Sequence, residues 1–299
     1  GMNGPVAFPL TDAGNGTYVL AETNISPSNL DALTSGEWYL NVHTTANPNG
    51  EVRGQIVPDT TAVVTFSLSG SQEVPAVDTM AMGSGYALFD TTNNNVSLVA
   101  VTTIENATMA HIHTGFAGEN GDVLVGLVES ESTAGVWMTD GSIALDEATA
   151  TQLLAGGHYV NVHTAANTGG EIRGQITPDN IEVYGIIANG LQEVPAVTTT
   201  ASGAGAFTLN TSTGALSGSV TITGMTANMA HIHEGEMGVN GDVLIGLTAG
   251  TSGMWSVPAN TTLTTEQMNV MADGGLYTNF HSDAFPSGEI RGQITLGFD

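Results

Sequence analysis

The sequence predicts an all-β protein: tandem antiparallel Greek-key-like β-sandwich or flattened-barrel repeats, each with one short helix. Three observations carry this expectation. Long blocks of sequence recur at a fixed spacing, the segments between them are short and rich in Val, Ile, Thr and aromatics, and a single capped helical stretch interrupts each set.

The recurring blocks set the register. Gln192-Glu193-Val194-Pro195-Ala196-Val197 repeats Gln72 to Val77, and His231-Ile232-His233 repeats His111-Ile112-His113, both 120 residues apart. A third block occurs as Tyr39-Leu40-Asn41-Val42-His43, Tyr159-Val160-Asn161-Val162-His163 and Tyr277-Thr278-Asn279-Phe280-His281. Each copy is followed by Gly-Glu-Val/Ile-Arg-Gly-Gln-Ile, starting at Gly50, Gly170 and Gly288. The chain therefore divides into a partial repeat over residues 1–60 and complete repeats over 61–179 and 180–299, each complete one the size of a small domain.

Asn3-Gly4-Pro5-Val6 aligns with Asn120-Gly121-Asp122-Val123 and with Asn240-Gly241-Asp242-Val243, so residues 1–60 read as the C-terminal half of a repeat. Its opening strands, with their own His-x-His, would lie upstream of Met2. Gly1 before Met2 reads as a residue left by expression cloning, and no signal peptide is visible. Half a repeat leaves strand edges unpaired, and it is expected to pair in trans or on its neighbour.

Within a complete repeat, Gly205 to Asn210, Ala215 to Thr223 and Asp242 to Leu247 read as strands bounded by Gly, Asn and Asp. Asp146 to Leu154 and Thr264 to Ala272 read as helices. Thr264 with Gln267 three residues later is a capping pair, and Gly156-Gly157 and Asp273-Gly274-Gly275 end the helical runs.

Composition narrows the function classes. Against 29 acidic residues the 299-residue chain carries three basic ones and no lysine, a formal net charge of −26. That excludes a surface built to bind nucleic-acid phosphates or anionic lipid. Hydrophobic residues at 41 % are enough for packed cores, so the acidity is not that of a disordered tail. No apolar run reaches the ~18 residues of a membrane span. Without cysteine there is no disulfide, thiolate metal site or Cys nucleophile. An acidic, lysine-free surface remains hydrated in high salt, which points to a secreted, periplasmic or cell-surface protein of a saline habitat.

Eight histidines are present, and seven fall in repeat register. His111 and His113 stand two apart, so on a strand both project from one face, and His163 arrives from a distant strand; His231, His233 and His281 form the matching set. Three imidazoles suit a mononuclear Zn²⁺ or Cu²⁺ site with an open position, copper having the edge in N-donor affinity. The alternative is a hydrogen-bonded strand surface that binds nothing. His158, whose counterparts are Glu37 and Leu276, reads as surface.

All three arginines, Arg53, Arg173 and Arg291, occupy one repeat position. One reading is a hydrogen-bonding fork to Glu51, Glu171 and Glu289 or to loop carbonyls; the other makes Arg173 and Arg291 candidate catalytic residues that attract a small anion to the histidines. Gly-x-Asn-Gly-Asp at 118–122 and 238–242 is a turn signal before it is a calcium loop. Met109 and Met229, two residues before each His pair, fall on the same strand face; thioether is a soft copper ligand, although Met more often fills cores.

The paired blocks Ala-His-Ile-His-x-Gly-x-x-Gly-x-Asn-Gly-Asp-Val and Tyr-x-Asn-x-His…Gly-Glu-Ile-Arg-Gly-Gln-Ile closely resemble the CHRD domain, the module named after chordin, over nearly the whole chain. The resemblance implies export and binding of a protein or glycan partner more firmly than any reaction. A more distant resemblance is to copper–zinc superoxide dismutase, in the order of a Gly-rich strand pair, His231-Ile232-His233, then His281 and Arg291. It implies copper on His231, His233 and His281 with Arg291 as anion guide, and likewise His111, His113, His163 and Arg173. The bridging His, zinc loop and disulfide of that family have no counterpart. The sequence thus leaves three expectations: an extracytoplasmic binding module with a three-His metal site in each complete repeat, a superoxide dismutase-like redox enzyme, or a metal-free structural or adhesion scaffold.

Overall fold

The computed structural model describes residues 3–297, and among them strands dominate, with three eight-residue helices, Pro27–Thr34, Glu147–Leu154 and Thr265–Ala272. Gly1 and Met2 lie outside the described residues. The fold is all-β, as the sequence predicts, with each complete repeat a nearly closed antiparallel sheet.

In the first complete repeat the strands run, in sheet order, Val128–Glu129, Val136–Met138, Asn95–Thr102, Met82–Asp90, Thr61–Ser69, Ile172–Gln175, His158–Thr164, Ala107–Thr114 and Val123–Gly126. The last strand of that order and the first are separated by Leu127 alone, whose N–H donates to Ala110 O, so the chain itself bridges the two sheet edges. The second complete repeat follows the same order from Val243–Gly246 round to Thr248–Ala249.

Alternation explains which side chains enter the barrels. In Thr61–Ser69 the buried residues are Val64, Phe66 and Leu68, two apart, as period-two strands require. They join Phe89, Leu98, Ile112, Val160, Val162 and Ile172 in one apolar core, matched in the second repeat by Tyr184, Phe207, Val220, Ile232, Phe280 and Ile290 among others. Asp146 caps its helix by accepting from Thr149 N, and Thr264 with Gln267 makes the reciprocal capping box read from the sequence.

The strands His158–Thr164 and Leu276–His281 are buried on both faces. Even-numbered Val160 and Val162 face the core, while Tyr159, Asn161 and His163 face outward; the loop at residues 115–122 covers Tyr159 through Gly121 N–H, Glu73 and Gly169 O meet Asn161, and Thr168 O meets His163. His158 shares the core-facing parity. It is fully buried, and neither ring nitrogen has a partner, which corrects the surface assignment. The position was already aligned with Leu276, which is a core residue of the second repeat, and its parity is that of Val160 and Val162.

The two complete repeats meet through that covering loop. Ala117 N donates to Thr208 Oγ1 at 3.3 Å and Ser219 Oγ donates to Gly118 O at 3.0 Å. Gly118 (φ +81°) lies so close to the next repeat that a Cβ there would sit 2.6 Å from Ser219 O and 2.7 Å from Ala206 N. The matching Gly238 has the same conformation (φ +79°) and open space around it. Gly238→Ala should therefore cost only the left-handed strain of about 1–2 kcal/mol, whereas Gly118→Ala adds an overpacking cost of about 1–3 kcal/mol. Denaturant titration of the two variants checks this; equal losses would show that the loop does not hold the repeats together.

Residues up to Ala62, with Asp90–Thr92, form a separate compact unit. Its paired strands Tyr39–Val42 and Val52–Gln55 keep the Asn41↔Arg53 register of the complete repeats, and Phe8 packs on Trp38 with ring centroids 5.5 Å apart.

Candidate metal centre

The strand Ala107–Thr114 sends Ala110 and Ile112 into the core and therefore turns His111 and His113 to the outer face. The neighbouring strand His158–Thr164 pairs Tyr159 with His113, Asn161 with His111 and His163 with Met109. Local period-two geometry and strand register thus bring three imidazoles together. His231, His233 and His281 are assembled identically, with Tyr277 opposite His233 and Asn279 opposite His231.

The possible ligand atoms of each trio all lie within 4.8 Å of one another. His111 Nδ1 is 3.1 Å from His163 Nε2, and His231 Nδ1 is 3.1 Å from His281 Nε2. A metal held at ~2.0–2.1 Å by each nitrogen needs N···N separations of about 3.3–3.6 Å, so modest side-chain adjustment suffices.

The hydrogen bonds also set the tautomers. His113 Nδ1–H donates to Gly121 O at 3.0 Å and His163 Nδ1–H to Thr168 O at 3.1 Å, which leaves both Nε2 atoms as lone-pair donors. His233 and His281 make the same bonds, to Gly241 O and Pro286 O. A backbone carbonyl holding the far nitrogen is the usual support of a metal-ligating His. The Nε2 atoms of His113 and His233 are buried with no partner at all. Burial pushes His111, His113, His163, His233 and His281 below the ordinary imidazole value, so these rings stay neutral, as ligands must. Three neutral imidazoles without a carboxylate fit Cu or Zn and not a hard, oxygen-seeking ion.

Arg173 and Arg291 lie behind these centres. Each is 1 % exposed and stacks 3.5 Å over the ring of Tyr159 or Tyr277, which in turn stacks on His113 or His233. Arg173 donates to Glu119 O, Phe116 O and Gln175 Oε1 at 2.7–2.9 Å; Arg291 donates to Val239 O, Glu236 O and Gln293 Oε1 at 2.8–3.0 Å. Of the two arginine readings the geometry therefore supports the structural one, with loop carbonyls as acceptors. Glu171 is engaged instead by Thr164 and Thr79, and Glu289 by Ser282 and Thr199.

The arginine-held loop carries Gly121, whose carbonyl orients His113 and whose N–H donates to Tyr159 Oη at 3.2 Å. Asn120 Nδ2 ties the same loop to Val74 O at 2.7 Å. The Gly-x-Asn-Gly-Asp segment acts here as a turn that folds over the sheet.

Sequence reasoning did not single out Glu73 and Glu193, or Asn161 and Asn279. In each complete repeat the Asn amide donates weakly to the buried Glu, at 3.4 and 3.3 Å, while the Glu Oε1 and Asn Oδ1 atoms have no partner. Burial pushes each carboxyl up to about 7 against the opposing pull of the arginine and the asparagine. Gly170 (φ +136°) and Gly288 (φ +131°) give these groups their space, because a Cβ would overlap both. The signal was present in the recurrent Gln-Glu-Val-Pro and Tyr-x-Asn-x-His blocks, but nothing in their spacing showed that they meet.

The CHRD domain family model matches residues 1–56, 64–176 and 184–294. No curated protein matches the chain. Three matches in tandem that together take in most of its length make this chain a member of the CHRD domain family.

Proposed function

We propose that the protein is a secreted or periplasmic CHRD repeat protein that acts as a binding module, each complete repeat holding one mononuclear copper or zinc ion on His111, His113 and His163 or on His231, His233 and His281. The observation that carries the reading is the convergence, twice in one chain, of three imidazoles whose far nitrogens are already bonded to backbone carbonyls. Bound there, copper or zinc would supply Lewis acidity, and copper would add one-electron redox chemistry.

The family supports the binding-module part, with a protein or glycan as partner. Export rests on the lysine-free acidic composition. Among the described residues no helix is long and apolar enough to cross a membrane. The half-repeat at residues 1–60 is taken to pair in trans. A superoxide dismutase-like activity is not part of the reading, because the arginines that would guide the anion are buried with their donors on loop carbonyls.

Elemental analysis after metal loading and desalting tests the proposal. The parent should retain two ions per chain, His231→Ala one, and His111→Ala with His231→Ala none. Stoichiometry unchanged by these substitutions would refute it.

A further inference from the structure

The chain has eleven methionines, and one repeat position holds Met in both complete repeats: Met109 and Met229. The others have no such partner; the counterparts of Met80, Met82 and Met237 are Thr200, Ser202 and Ala117. Met109 and Met229 are not core filler, since each is 47 % exposed. With Ala110 and Ile112, or Ala230 and Ile232, committed to the core, both thioethers stand on the outer strand face that carries the His pair. Strand register sets Met109 directly opposite His163 and Met229 directly opposite His281. Side chains paired in this way have Cβ atoms about 4.5–5.5 Å apart, and the unbranched Met side chain can turn its sulfur over that distance.

An apolar side chain held half in water, at one position twice, beside three nitrogen ligands, is accounted for if its sulfur is a ligand. Building on the three-His reading, we propose that Met109 and Met229 are the fourth, thioether ligands of the two centres and make them Cu(I)-holding sites in preference to zinc sites. Soft sulfur favours Cu(I), and zinc gains little from a neutral thioether. The partly exposed Met also gives the ion a ligand that can be released toward solvent, which suits exchange of Cu(I) with a second copper-binding molecule.

Met109→Leu with Met229→Leu preserves volume and hydrophobicity, so the fold should be retained. Competition of apo protein against a chromophoric Cu(I) chelator, without oxygen, should show Cu(I) affinity at least about tenfold weaker in the variant, while Zn(II) affinity stays within about twofold. X-ray absorption of the Cu(I)-loaded parent should show a sulfur neighbour that the variant lacks. Equal Cu(I) affinity in parent and variant, with His-dependent Zn(II) binding intact, overturns this inference and leaves the three-His reading standing. Failure of the parent to bind either metal overturns both.

Discussion

Replacing Arg173 by Met is expected to destabilise the first complete repeat by about 3–5 kcal/mol, the range for removing one partner from a buried charged network. The guanidinium touches three acceptors, Glu119 O, Phe116 O and Gln175 Oε1, and the face of Tyr159. Met restores none of the three hydrogen bonds. It also removes the positive charge that pulls against the burial-raised carboxyl of Glu73, so that carboxyl should titrate higher still. The loop released is the one that positions Gly121 against His113 and seats Gly118 on the next repeat, so metal affinity and repeat–repeat cohesion should fall together.

Urea titration with the matched variants checks this. Arg291→Met should show the local loss without the inter-repeat part, because the open space around Gly238 leaves no such contact to lose. Arg53→Met should cost only a small fraction as much, since Arg53 is exposed while its stacking on Tyr39 is otherwise the same. Lys at position 173 should not rescue, because an ammonium cannot reproduce a planar fork aimed at two carbonyls and an amide. Equal losses at positions 53 and 173 would show that the cover loop does not depend on the arginine.

His158→Leu should stabilise the same repeat. The native imidazole is completely buried with both nitrogens unpartnered, a defect worth about 1–3 kcal/mol, and Leu276 shows that leucine fits the position. The gain depends on pH in a defined direction. Burial pushes His158 down to about 4, against 6.5 for the free side chain. Below pH 6.5 the unfolded chain takes up a proton that the folded chain refuses, so the stability present above pH 6.5 is lost as pH falls toward 4. The advantage of the Leu variant should therefore widen by an amount on the order of 3 kcal/mol between pH 7 and 4. Glu73, raised to about 7, acts oppositely, its contribution being complete below about pH 4.5 and lost as pH rises through 7; it is common to both proteins and cancels in the comparison. A variant-minus-parent difference that stays flat with pH would mean that the imidazole finds a partner or water in the folded state.

Much of this molecule is legible in its sequence. The capping pair Thr264 and Gln267 announces a helix start, and the structure forms both bonds of the box. His-x-His needs only the period of a strand to put two imidazoles on one face, and the recurrence of Tyr-x-Asn-x-His points to the third. What escaped the sequence shares a different character. His158 changed from surface to core because strand parity decides which side of the sheet a side chain enters, and it shares the parity of the core residues Val160 and Val162 and the position of Leu276. Glu73 and Asn161, 88 positions apart, meet through barrel closure, not through anything local to either.

The sequence by itself determined the repeat register, the strand and helix types and the membership of both histidine trios, because these follow from interactions between residues a few positions apart. Only the tertiary structure decided what the arginines do. A guanidinium is equally suited to a passing anion or to a pair of loop carbonyls, and the choice depends on whether a loop folds over the sheet and excludes water. Here it does, so each complete repeat retains its one positive charge to hold the cover that orients the histidines.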